Sequence, residues 1–427
     1  MLTLEPGTQL FGIDGLLTGL VITRGSAINA QGTPDLPIIM AAVTATGTGA
    51  NTLITDDPSD LTSRGQWAGL VLSGSAVNNL CGGNLGVPPL FSEATPTGVQ
   101  RYFGCDNDAD TSGTVEYVVI AESGLGFRPN QEVQGLTLEG VGSGTRINYV
   151  QVLGSEDDGI EWFGGTANAS NLVINGQDDD GLDFDEGIRA TIQRALVIMG
   201  SANGDKGIEA DNLGPSGDVT FDATPTSNVN FVNLTILGDV GSGQGSRGAN
   251  FRDGFGGRLI RSGMVDAPGK AFANGCLDFD DEVDAFTELR DFVADCTGGV
   301  IGPGGAAKDA VFAGNFVTNG DNETGNGDAT ADERDVVAYT GTVNAATLAL
   351  DGAPTPDNPG ALPAAVNGTP IGNYIGAVDP ASGNPDGNPT NNGSGGGPFW
   401  DGWTYINSAV DGGLPGANFH PLQAEIE

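Results

Sequence analysis

Positive charge is scarce in this sequence. Of its 427 residues, 16 are Lys or Arg and 55 are Asp or Glu, so the formal charge at pH 7 is -39. Only three of the cations are lysines, namely Lys206, Lys270 and Lys308. A protein that binds nucleic acid needs a basic stripe that displaces counterions from phosphates, and an anionic membrane surface makes a similar demand. The composition therefore excludes nucleic acid and anionic membranes as partners.

Histidine and long apolar runs are also scarce. The single histidine, His420, lies near the carboxyl end, and no Gly-x-Ser-x-Gly motif occurs, which leaves little basis for a catalytic triad. No stretch reaches the roughly 18 apolar residues that a membrane span requires. The first four residues, Met-Leu-Thr-Leu, lack the charged start and apolar core of a signal peptide. If the protein is exported, we expect its leader to be absent from this sequence.

Cysteine occurs four times, as two local pairs: Cys81 with Cys105, and Cys276 with Cys296. Neither pair has the C-x-x-C spacing of a zinc site, so we predict two disulfides formed in an oxidising compartment. Buried, reduced cysteines are the alternative.

Glycine and proline, in contrast, are abundant. The chain has 71 Gly and 23 Pro, and hydrophobic residues still make up 38%. This is enough apolar material to exclude simple disorder, while the turn-forming residues imply very frequent turns. Strand-like alternation of apolar residues fits nearly all of the chain better than a helical period does. The sequence therefore predicts an all-β fold.

A repeat runs through the central part of the sequence, from about residue 115 to 275. Short β-rich runs recur there, and each of the four central ones is followed by a second, shorter run. The shorter runs begin at Asp158, Asp180, Lys206 and Arg247, with steps of 22, 26 and 41 residues. A unit of about 22 residues with two or three short strands is the size of one coil of a parallel β-helix. We therefore predict a right-handed parallel β-helix, a solenoid with loop insertions.

Stacking of these coils predicts which residues lie above one another. One interior ladder is expected to contain Ile160, Leu182, Ile208 and Ala249. Adjacent residues of a strand face opposite sides, so the next position along each strand forms an outward column. That column contains Glu161, Asp183, Glu209 and Asn250.

Composition divides the chain into three segments. Residues 1–315 are predicted to form the β-helix, and residues 316–398 an irregular segment rich in Gly, Pro and Asn. Residues 399–427 begin with an aromatic cluster that is expected to pack on the last coils, because exposed aromatic clusters are rare. The alternative for this cluster is a sugar-stacking patch formed by Trp400 and Trp403.

Four segments carry a resemblance to a known family. They are residues 32–39 (GTPDLPII), 65–72 (GQWAGLVL), 157–165 (DDGIEWFGG) and 207–212 (GIEADN). As a set they resemble bacterial secreted or lipoprotein-like parallel β-helix surface proteins, and the resemblance covers nearly the whole chain. It implies export and a β-helix, and it supplies no catalytic function.

The first candidate cation site is a turn with alternating acids, Asp106, Asp108 and Asp110. Hard oxygen ligands at this spacing suit Ca²⁺. The turn departs from an EF-hand loop, because Thr111 stands at the position of the invariant glycine and Tyr117 at that of the bidentate acid. An Asp-rich turn without an ion is the alternative.

The second candidate site arises from stacking of two acidic runs, about 4.8 Å apart per coil. Such a stack of like charges is repulsive unless something neutralises it, and Ca²⁺ would do so. The predicted ligands are Glu156, Asp157 and Asp158 on one coil, Asp178, Asp179 and Asp180 on the next, and Asp183, Asp185, Glu209 and Asp211 nearby. The alternative is a charge ladder completed by the cations of later coils, Lys206, Arg247 and Lys270.

A catalytic interpretation also has some support. Residues 177–181 (QDDDG) look similar to the paired-Asp segment of polygalacturonase-type glycosidases, which use paired carboxyls as acid and base. The partner motifs Gly-His-Gly and Arg-Ile-Lys of that family are missing. A β-elimination lyase would need a basic residue beside calcium, and Lys206 is the one attractive candidate.

These observations favour a non-catalytic extracellular structural protein, a calcium-stabilised solenoid whose copies dock head to tail into a surface fibre or layer. One alternative is a polysaccharide-degrading enzyme with Asp157, Asp158, Asp179 and Asp180 as acid and base. The other is an adhesin that binds extracellular glycans through Trp400 and Trp403.

Overall fold

A computed structural model describes the larger part of the chain. The described residues are 1–14, 16–43, 64–81, 85–88, 101–126, 132–199, 204–212, 221–238, 247–266, 271–279, 286–300, 334–338, 341–343, 348–353, 356, 364–380, 399 and 403–404. Lys270, Trp400 and the segments 301–333 and 405–427 lie outside them.

The described residues form short β-strands and one 3-10 helix at Asn79–Cys81. The first strands are β1 (Leu2–Leu4), β2 (Gln9–Ile13), β3 (Leu20–Ile22), β4 (Ile28–Gln31), β5 (Ile38–Val43), β6 (Leu70–Ser73), β7 (Gly113–Ala121) and β8 (Leu136–Val141). The central strands are β9 (Arg146–Leu153), β10 (Ile160–Gly165), β11 (Ala169–Asn175), β12 (Leu182–Asp185), β13 (Arg189–Ile198), β14 (Lys206–Ala210), β15 (Asn228–Gly238), β16 (Arg247–Phe251), β17 (Gly256–Ile260) and β18 (Gly263–Asp266). The last are β19 (Leu277–Phe279), β20 (Phe286–Asp295), β21 (Arg334–Ala338), β22 (Thr342–Val343), β23 (Leu350–Asp351), β24 (Ala365–Val366) and β25 (Thr369–Pro370).

Two long parallel sheets contain nearly all of these strands. Sheet 1 has the order β1-β4-β7-β9-β11-β13-β15-β17-β20-β18, with β2, β5 and β21 attached beside this path. Sheet 2 has the order β19-β16-β14-β12-β10-β8-β6-β3. Strands of the two sheets alternate along the central part of the chain, so each pair of strands completes one coil. The fold is therefore a right-handed parallel β-helix, as the repeat predicted.

The register of sheet 2 confirms the predicted ladders. Leu182 pairs with Ile160 on one side and with Ile208 on the other, and Ile208 pairs with Ala249. One position further on, Asp183 lies between Glu161 and Glu209. The first set is fully buried in the solenoid interior, and the second faces away from it. The interior also holds stacked aromatic rings, such as Trp162 and Phe184 with centroids 4.6 Å apart.

A column of residues with positive φ bends the strands of sheet 1. It includes Tyr149 (52°), Asn171 (56°), Arg194 (57°) and Asn233 (56°), and continues at Tyr117, Arg261 and Asp291. Each interrupts its ladder between paired neighbours, as Asn171 does between Ser170 and Leu172. A left-handed residue turns the chain, so every such strand has two halves. We call the outward side of the second halves the flank.

The flank is apolar and is covered by the carboxyl-terminal part of the chain. Outward side chains of successive coils pack there against Leu348, Leu350, Ile375, Ala377, Val378, Phe399 and Trp403 in a second hydrophobic cluster. The ring of Trp403 meets those of Tyr117 and Tyr149 edge-on at 5.7 and 5.9 Å. Trp403 therefore lies on the flank beside β7 and β9, away from the last coil, and its fully buried ring offers no surface for sugar stacking.

The carboxyl-terminal region continues the sheet before it forms the cover. β21 pairs in parallel with β20, within the segment 316–398 that the composition marks as irregular. The two later ribbons, β22–β23 and β24–β25, are antiparallel. We call residues 364–380, which cross the coils lengthwise, the strap.

Both predicted disulfides are present. Cys81 bonds to Cys105 and Cys276 to Cys296. The second bond joins the turn before β19 to the end of β20, at the last described coil of sheet 2. In the described part of the chain, no helix has the length and apolarity that crossing a membrane would require.

A column of glycines precedes the interior ladder of sheet 2, and it explains the repeated Asp-Gly pairs. A Cβ added to Gly181 would lie 2.6 Å from Cγ1 of Val197 and 2.7 Å from the carbonyl oxygen of Gly207. A Cβ added to Gly159 or Gly207 would lie equally close to the carbonyl oxygen of the next coil, 2.5 Å from that of Gly181 and 2.6 Å from that of Gly248. The backbone of each coil therefore passes too close to the next for any side chain at this position.

Gly181→Ala should destabilise the solenoid, because the added methyl group has no space. We expect a loss of about 1–3 kcal/mol in the free energy of unfolding, as for other overpacked cores. Gly126→Ala is the matched control, since its Cβ would meet only Glu132 at 3.8 Å. Urea denaturation of the two variants measures the difference, and equal stabilities would contradict the close packing.

Candidate metal centre

The acidic residues before sheet 2 lie in a vertical column, as predicted. The backbone N–H of Asp180 donates to Oδ1 of Asp158 at 2.8 Å, and that of Lys206 donates to Oδ1 of Asp180 at 2.7 Å. Lys206 in turn pairs with Arg247 on the next coil. Each carboxylate thus satisfies a backbone donor of the following coil. The column continues with the predicted cations Lys206 and Arg247, while the third predicted cation, Lys270, lies outside the described residues.

The outward column of sheet 2 adds further acids beside this one. Glu161, Asp183 and Glu209 pair in register on β10, β12 and β14. Although they face away from the solenoid interior, Glu161 is only 6% exposed. We call the two columns and the positions before them the acidic face, which consists of Asp157, Asp158, Glu161, Asp179, Asp180, Asp183, Asp205 and Glu209.

Four overlapping groups of three carboxylates occur on the acidic face. In each group one oxygen of every residue lies within 4.8 Å of the others. The groups are Asp157–Asp158–Asp179, Asp158–Glu161–Asp183, Asp179–Asp180–Asp205 and Asp180–Asp183–Glu209. The structure therefore brings together six of the predicted ligands: Asp157, Asp158, Asp179, Asp180, Asp183 and Glu209. Glu161 and Asp205 complete the groups.

Cations neutralise part of this face, mainly at the coil of β14. Nζ of Lys206 lies 3.5 Å from Asp180 and 3.1 Å from Glu209, and it also contacts Asp205. Arg252 contacts Glu209 at 3.0 Å. The predicted charge ladder is thus present on the Lys206 side of the groups, while Asp158, Glu161 and Asp183 lie one or two coils before it.

The protonation behaviour of these acids reflects their crowding. Burial, followed by the charges of Asp179 and Glu132, raises the pKa of Asp157 to about 7. Burial and neighbouring carboxylates raise the pKa of Asp158 and of Asp183 well above the usual range. Burial raises the pKa of Asp180 as well, although Lys206 opposes the shift. The anionic forms are therefore destabilised in the absence of a further positive charge.

The basic side chain of the site responds in the opposite direction. Burial alone lowers the pKa of Lys206, but the charges of Asp180 and Glu209 and the contact with Asp205 outweigh it and raise this pKa. Glu209 has a lowered pKa, because its hydrogen bond with Asp180 and its contacts with Lys206 and Arg252 outweigh burial. Lys206 and Glu209 thus form a charged pair within a set of partly protonated acids.

The donor set fits a hard cation. All of the clustered ligands are carboxylates, and oxygen donors are what Ca²⁺ and Mg²⁺ prefer. Asn250 pairs with Glu209 in register, and its buried Oδ1 has no hydrogen-bond partner among the described residues. A cation held between the coils would use such oxygens and lower the repulsion that raises the pKa values.

Asp185 and Asp211 lie at the other end of the same strands. Asp185 pairs with Phe163 at the end of β12, and the backbone N–H of Asp211 donates to Phe184. Burial and the neighbouring Asp211 raise the pKa of Asp185 well above its usual range. Arg252 contacts Asp211 at 3.4 Å. Among the described residues these two acids belong to none of the four groups.

The predicted calcium turn is arranged differently. Asp108 accepts two hydrogen bonds from Arg189, at 2.9 and 3.0 Å. Asp110 accepts the backbone N–H of Ser75 at 3.0 Å, and Asp106 lies 3.4 Å from Arg24. The three carboxylates thus point to separate partners and form no group of three close oxygens in the described part of the chain. A calcium ion in this turn stays a prediction.

The remaining predicted ligands, Glu156 and Asp178, lie at the margin of the acidic face. Asp178 forms an ion pair with Arg64 at 2.9 Å, and Glu156 is exposed. Sequence reasoning did not name Glu161 or Asp205 as ligands, although the spacing could have done so. Glu161 occupies the predicted outward column, and Asp205 precedes Lys206 as Asp157 and Asp179 precede the acids of their own coils.

One carboxyl outside this face is also perturbed, and the sequence did not single it out. Glu139 is fully buried, and burial raises its pKa to about 7 against the opposing effects of Arg101 and Ser73. Oγ of Ser73 donates to it, and Arg101 lies 3.6 Å away. The three residues form a small buried network at the β6–β8 end of sheet 2.

The raised pKa values predict that the cation-free protein loses stability as the pH rises. A group whose pKa is higher in the folded than in the unfolded chain stabilises the fold fully below its unfolded pKa, and that contribution is lost as the pH rises through the folded pKa. With a chelator present, the melting temperature should therefore fall between pH 5 and pH 8, since Asp157 titrates at about 7. Glu209 acts in the opposite direction, but the raised groups outnumber it.

Asp158→Asn should flatten this dependence, because the amide keeps the oxygen that accepts the N–H of Asp180 and removes the charge. Asp14→Asn, at an exposed position away from the acidic face, is the control. Thermal melts at several pH values in chelator measure the slope. A melting temperature that is constant or rises over this range would contradict the arrangement.

Comparison with known proteins identifies the fold family. A family model described as a pectate-lyase-like β-helix domain matches residues 1–273, which include every strand from β1 to β18. Comparisons with curated proteins and with solved structures give no match. The matched stretch is more than half of the 427 residues and contains the whole acidic face. The chain therefore belongs to the pectate-lyase-like β-helix family.

Proposed function

We propose that this protein is an exported, non-catalytic β-solenoid that Ca²⁺ stabilises and that assembles end to end at a cell surface. The observation that carries the proposal is the set of four overlapping carboxylate groups on the acidic face. Each offers three oxygens between adjacent coils, where a single divalent ion would bridge the two coils.

The choice of aspartate at this face supports a cation. Asp158 and Asp180 each accept a backbone N–H through Oδ1, which an asparagine would do equally well without charge. Lys206 lies 3.5 Å from Asp180, but the charge of Asp158 has no such partner among the described ion pairs, and burial of an unpaired carboxylate is unfavourable. A bound cation turns the same charge into a stabilising contact.

The ligand type favours calcium over transition metals. No His or Cys contributes to the four groups, and transition metals prefer imidazole and thiolate ligands. Calcium tolerates irregular sets of six to eight oxygens, whereas Mg²⁺ demands a nearly ideal octahedron. Carboxylates fixed by strand register cannot rearrange freely, which favours the more tolerant ion.

The position of Lys206 supports a non-catalytic role. A lyase that removes a proton from its substrate needs an uncharged base, and three carboxylates around Lys206 raise its pKa and keep it protonated. Arg252, the other cation of this face, is held by Glu209 and Asp211. Both cations therefore balance charge on the acidic face, and neither is an uncharged base.

Assembly and export have separate support. Among the described residues, β1 and β3 each pair with one neighbouring strand, so one edge of each has no described partner strand, and Leu2 and Val21 on them are exposed. Unpaired strand edges pair readily with other chains.

Two disulfides are typical of an oxidising compartment, which is consistent with export.

Calcium should raise the melting temperature of the chelator-treated protein. At a free concentration 100 times the dissociation constant, one site that binds only the folded chain adds about 2.7 kcal/mol to the free energy of unfolding. Asp183→Asn should abolish most of this gain, since Asp183 belongs to two of the four groups. Asp106→Asn, in the separate turn, serves as the matched control.

The measurement is a thermal melt with calcium titrated into the chelated protein. If calcium fails to raise the melting temperature of Asp106→Asn but still raises that of Asp183→Asn, the calcium site is in the turn. If calcium does not raise the melting temperature of the wild type, calcium stabilisation is refuted. Electron microscopy with calcium and with chelator tests assembly. We expect filaments or sheets with calcium, and separate particles under both conditions would refute end-to-end docking.

Glycoside hydrolysis is the second candidate, and one observation favours it. Asp157 has a pKa of about 7 and lies next to Asp179, whose oxygen is within 4.8 Å. A pair of carboxyls at short range is the arrangement of retaining glycosidases. Incubation with polyuronides and other acidic glycans tests this candidate. Release of reducing sugar that disappears in both Asp157→Asn and Asp179→Asn would establish it and overturn the structural proposal.

A further inference from the structure

The flank differs from the other outward surfaces of the solenoid in being a continuous apolar band. Val119, Leu153, Val173, Leu196, Leu237 and Val293 are all nearly or fully buried, and they come from six strands of sheet 1. A band of this length would be a strong association surface if it were bare. It is buried because the strap and the adjoining carboxyl-terminal residues lie on it.

Polar side chains of the left-handed column hold the strap in place. Nδ2 of Asn171 donates to Oγ1 of Thr369 at 2.7 Å, and Nδ2 of Asn233 donates to the carbonyl oxygen of Tyr374 at 2.6 Å. Nη1 of Arg261 donates to the carbonyl oxygen of Gly372 at 2.8 Å. The column that bends the strands therefore also provides a row of anchoring groups for an extended segment.

Further contacts complete the docking along the coils. Nδ2 of Asn367 donates to the carbonyl oxygens of Ile147 and Asn168, at 2.7 and 3.1 Å. At the other end, the backbone N–H of Ala377 donates to Oγ1 of Thr235 at 2.8 Å. The strap thus crosses the strands lengthwise from β9 to β17 and touches each coil through a few groups.

The strap is not part of either long sheet. Its two strands, β24 and β25, pair with each other. One backbone hydrogen bond, from Gly376 to Arg261, joins it to the solenoid among those described. Release of the strap would therefore leave every coil-to-coil ladder intact.

We propose that the flank is an exchangeable interface, on which the strap of a second copy of this chain docks in place of the chain's own. Every contact described above joins the strap to residues outside it, so the same contacts form when the two partners belong to different copies. A released strap uncovers the part of the apolar band on which it lies, and the segment with matching donors and apolar side chains is the strap of another copy. Exchange of identical elements is a low-cost route to a dimer.

This lateral interface is independent of the cation and of the coil ends. It involves the outward side of sheet 1, whereas the acidic face belongs to sheet 2. Exchange is therefore expected in chelator as well as in calcium, and its success or failure leaves the proposed calcium-dependent assembly untouched.

Two full-length variants test the exchange, one with a cysteine on the flank (Thr235→Cys) and one with a cysteine on the strap (Ala377→Cys). All four natural cysteines are in disulfides, so the new thiols are the reactive ones. The variants are mixed in chelator, warmed below the melting temperature, cooled and oxidised. We expect a disulfide-linked dimer of one copy of each variant on a non-reducing gel, since the backbone nitrogen of Ala377 lies 2.8 Å from Oγ1 of Thr235 in the docked strap.

Thr369→Cys is the matched control for the strap variant, because it lies on the same strap but docks at Asn171. Mixed with Thr235→Cys, it should give at least about tenfold less linked dimer. Equal linking in both mixtures, or none in either, would overturn exchange in this register. Sedimentation of the wild-type chain after the same warming needs no new thiol: a dimer that grows with concentration supports exchange, and a monomer at every concentration refutes it.

Discussion

Hydrogen bonds between successive coils hold equivalent residues about 4.8 Å apart, and this spacing decides what each column of the solenoid can contain. Apolar columns gain from it, because side chains such as Ile160, Leu182 and Ile208 pack directly on one another. Carboxylates lose by it, because like charges at this distance repel. The positions at which the sequence nevertheless stacks acids are therefore those at which a positive partner is needed, from Lys206 or from a bound ion.

Much of this arrangement could be predicted from the sequence, because a repeat of about 22 residues fixes both the coil and its register. The interior ladder, the outward column, the stacked acids and both disulfides follow from spacing alone. The four carboxylate groups needed one step more, since Glu161 and Asp205 become ligand candidates only when both columns are placed side by side. The separate partners of Asp106, Asp108 and Asp110 depend on Arg24, Arg189 and Ser75, which are distant from them in sequence.

The left-handed column and the strap could not be predicted, for a physical reason. Asparagine is common at positive φ, but Tyr149 and Arg194 occupy the same conformation, in which a bulky side chain is unfavourable. Their side chains are buried under the carboxyl-terminal segment, where Tyr149 meets Trp403 and Arg194 lies over the ring of Phe399 at 5.9 Å. Tertiary contacts across some 200 residues thus offset the local strain, and no local pattern reveals them.

The flank and the acidic face, the two outward surfaces described above, differ in what their side chains require. The flank places apolar side chains at positions that would face solvent, and the chain covers them with its own strap. The acidic face places charges there, and the described chain supplies cations mainly at the coil of Lys206. If the only role of Asp158 and Asp180 were to accept backbone N–H groups, asparagine would accept the same hydrogen bonds without charge repulsion. The charge at Asp158, Glu161 and Asp183, one or two coils before the cations, is therefore the reason for which we propose a cation site on sheet 2.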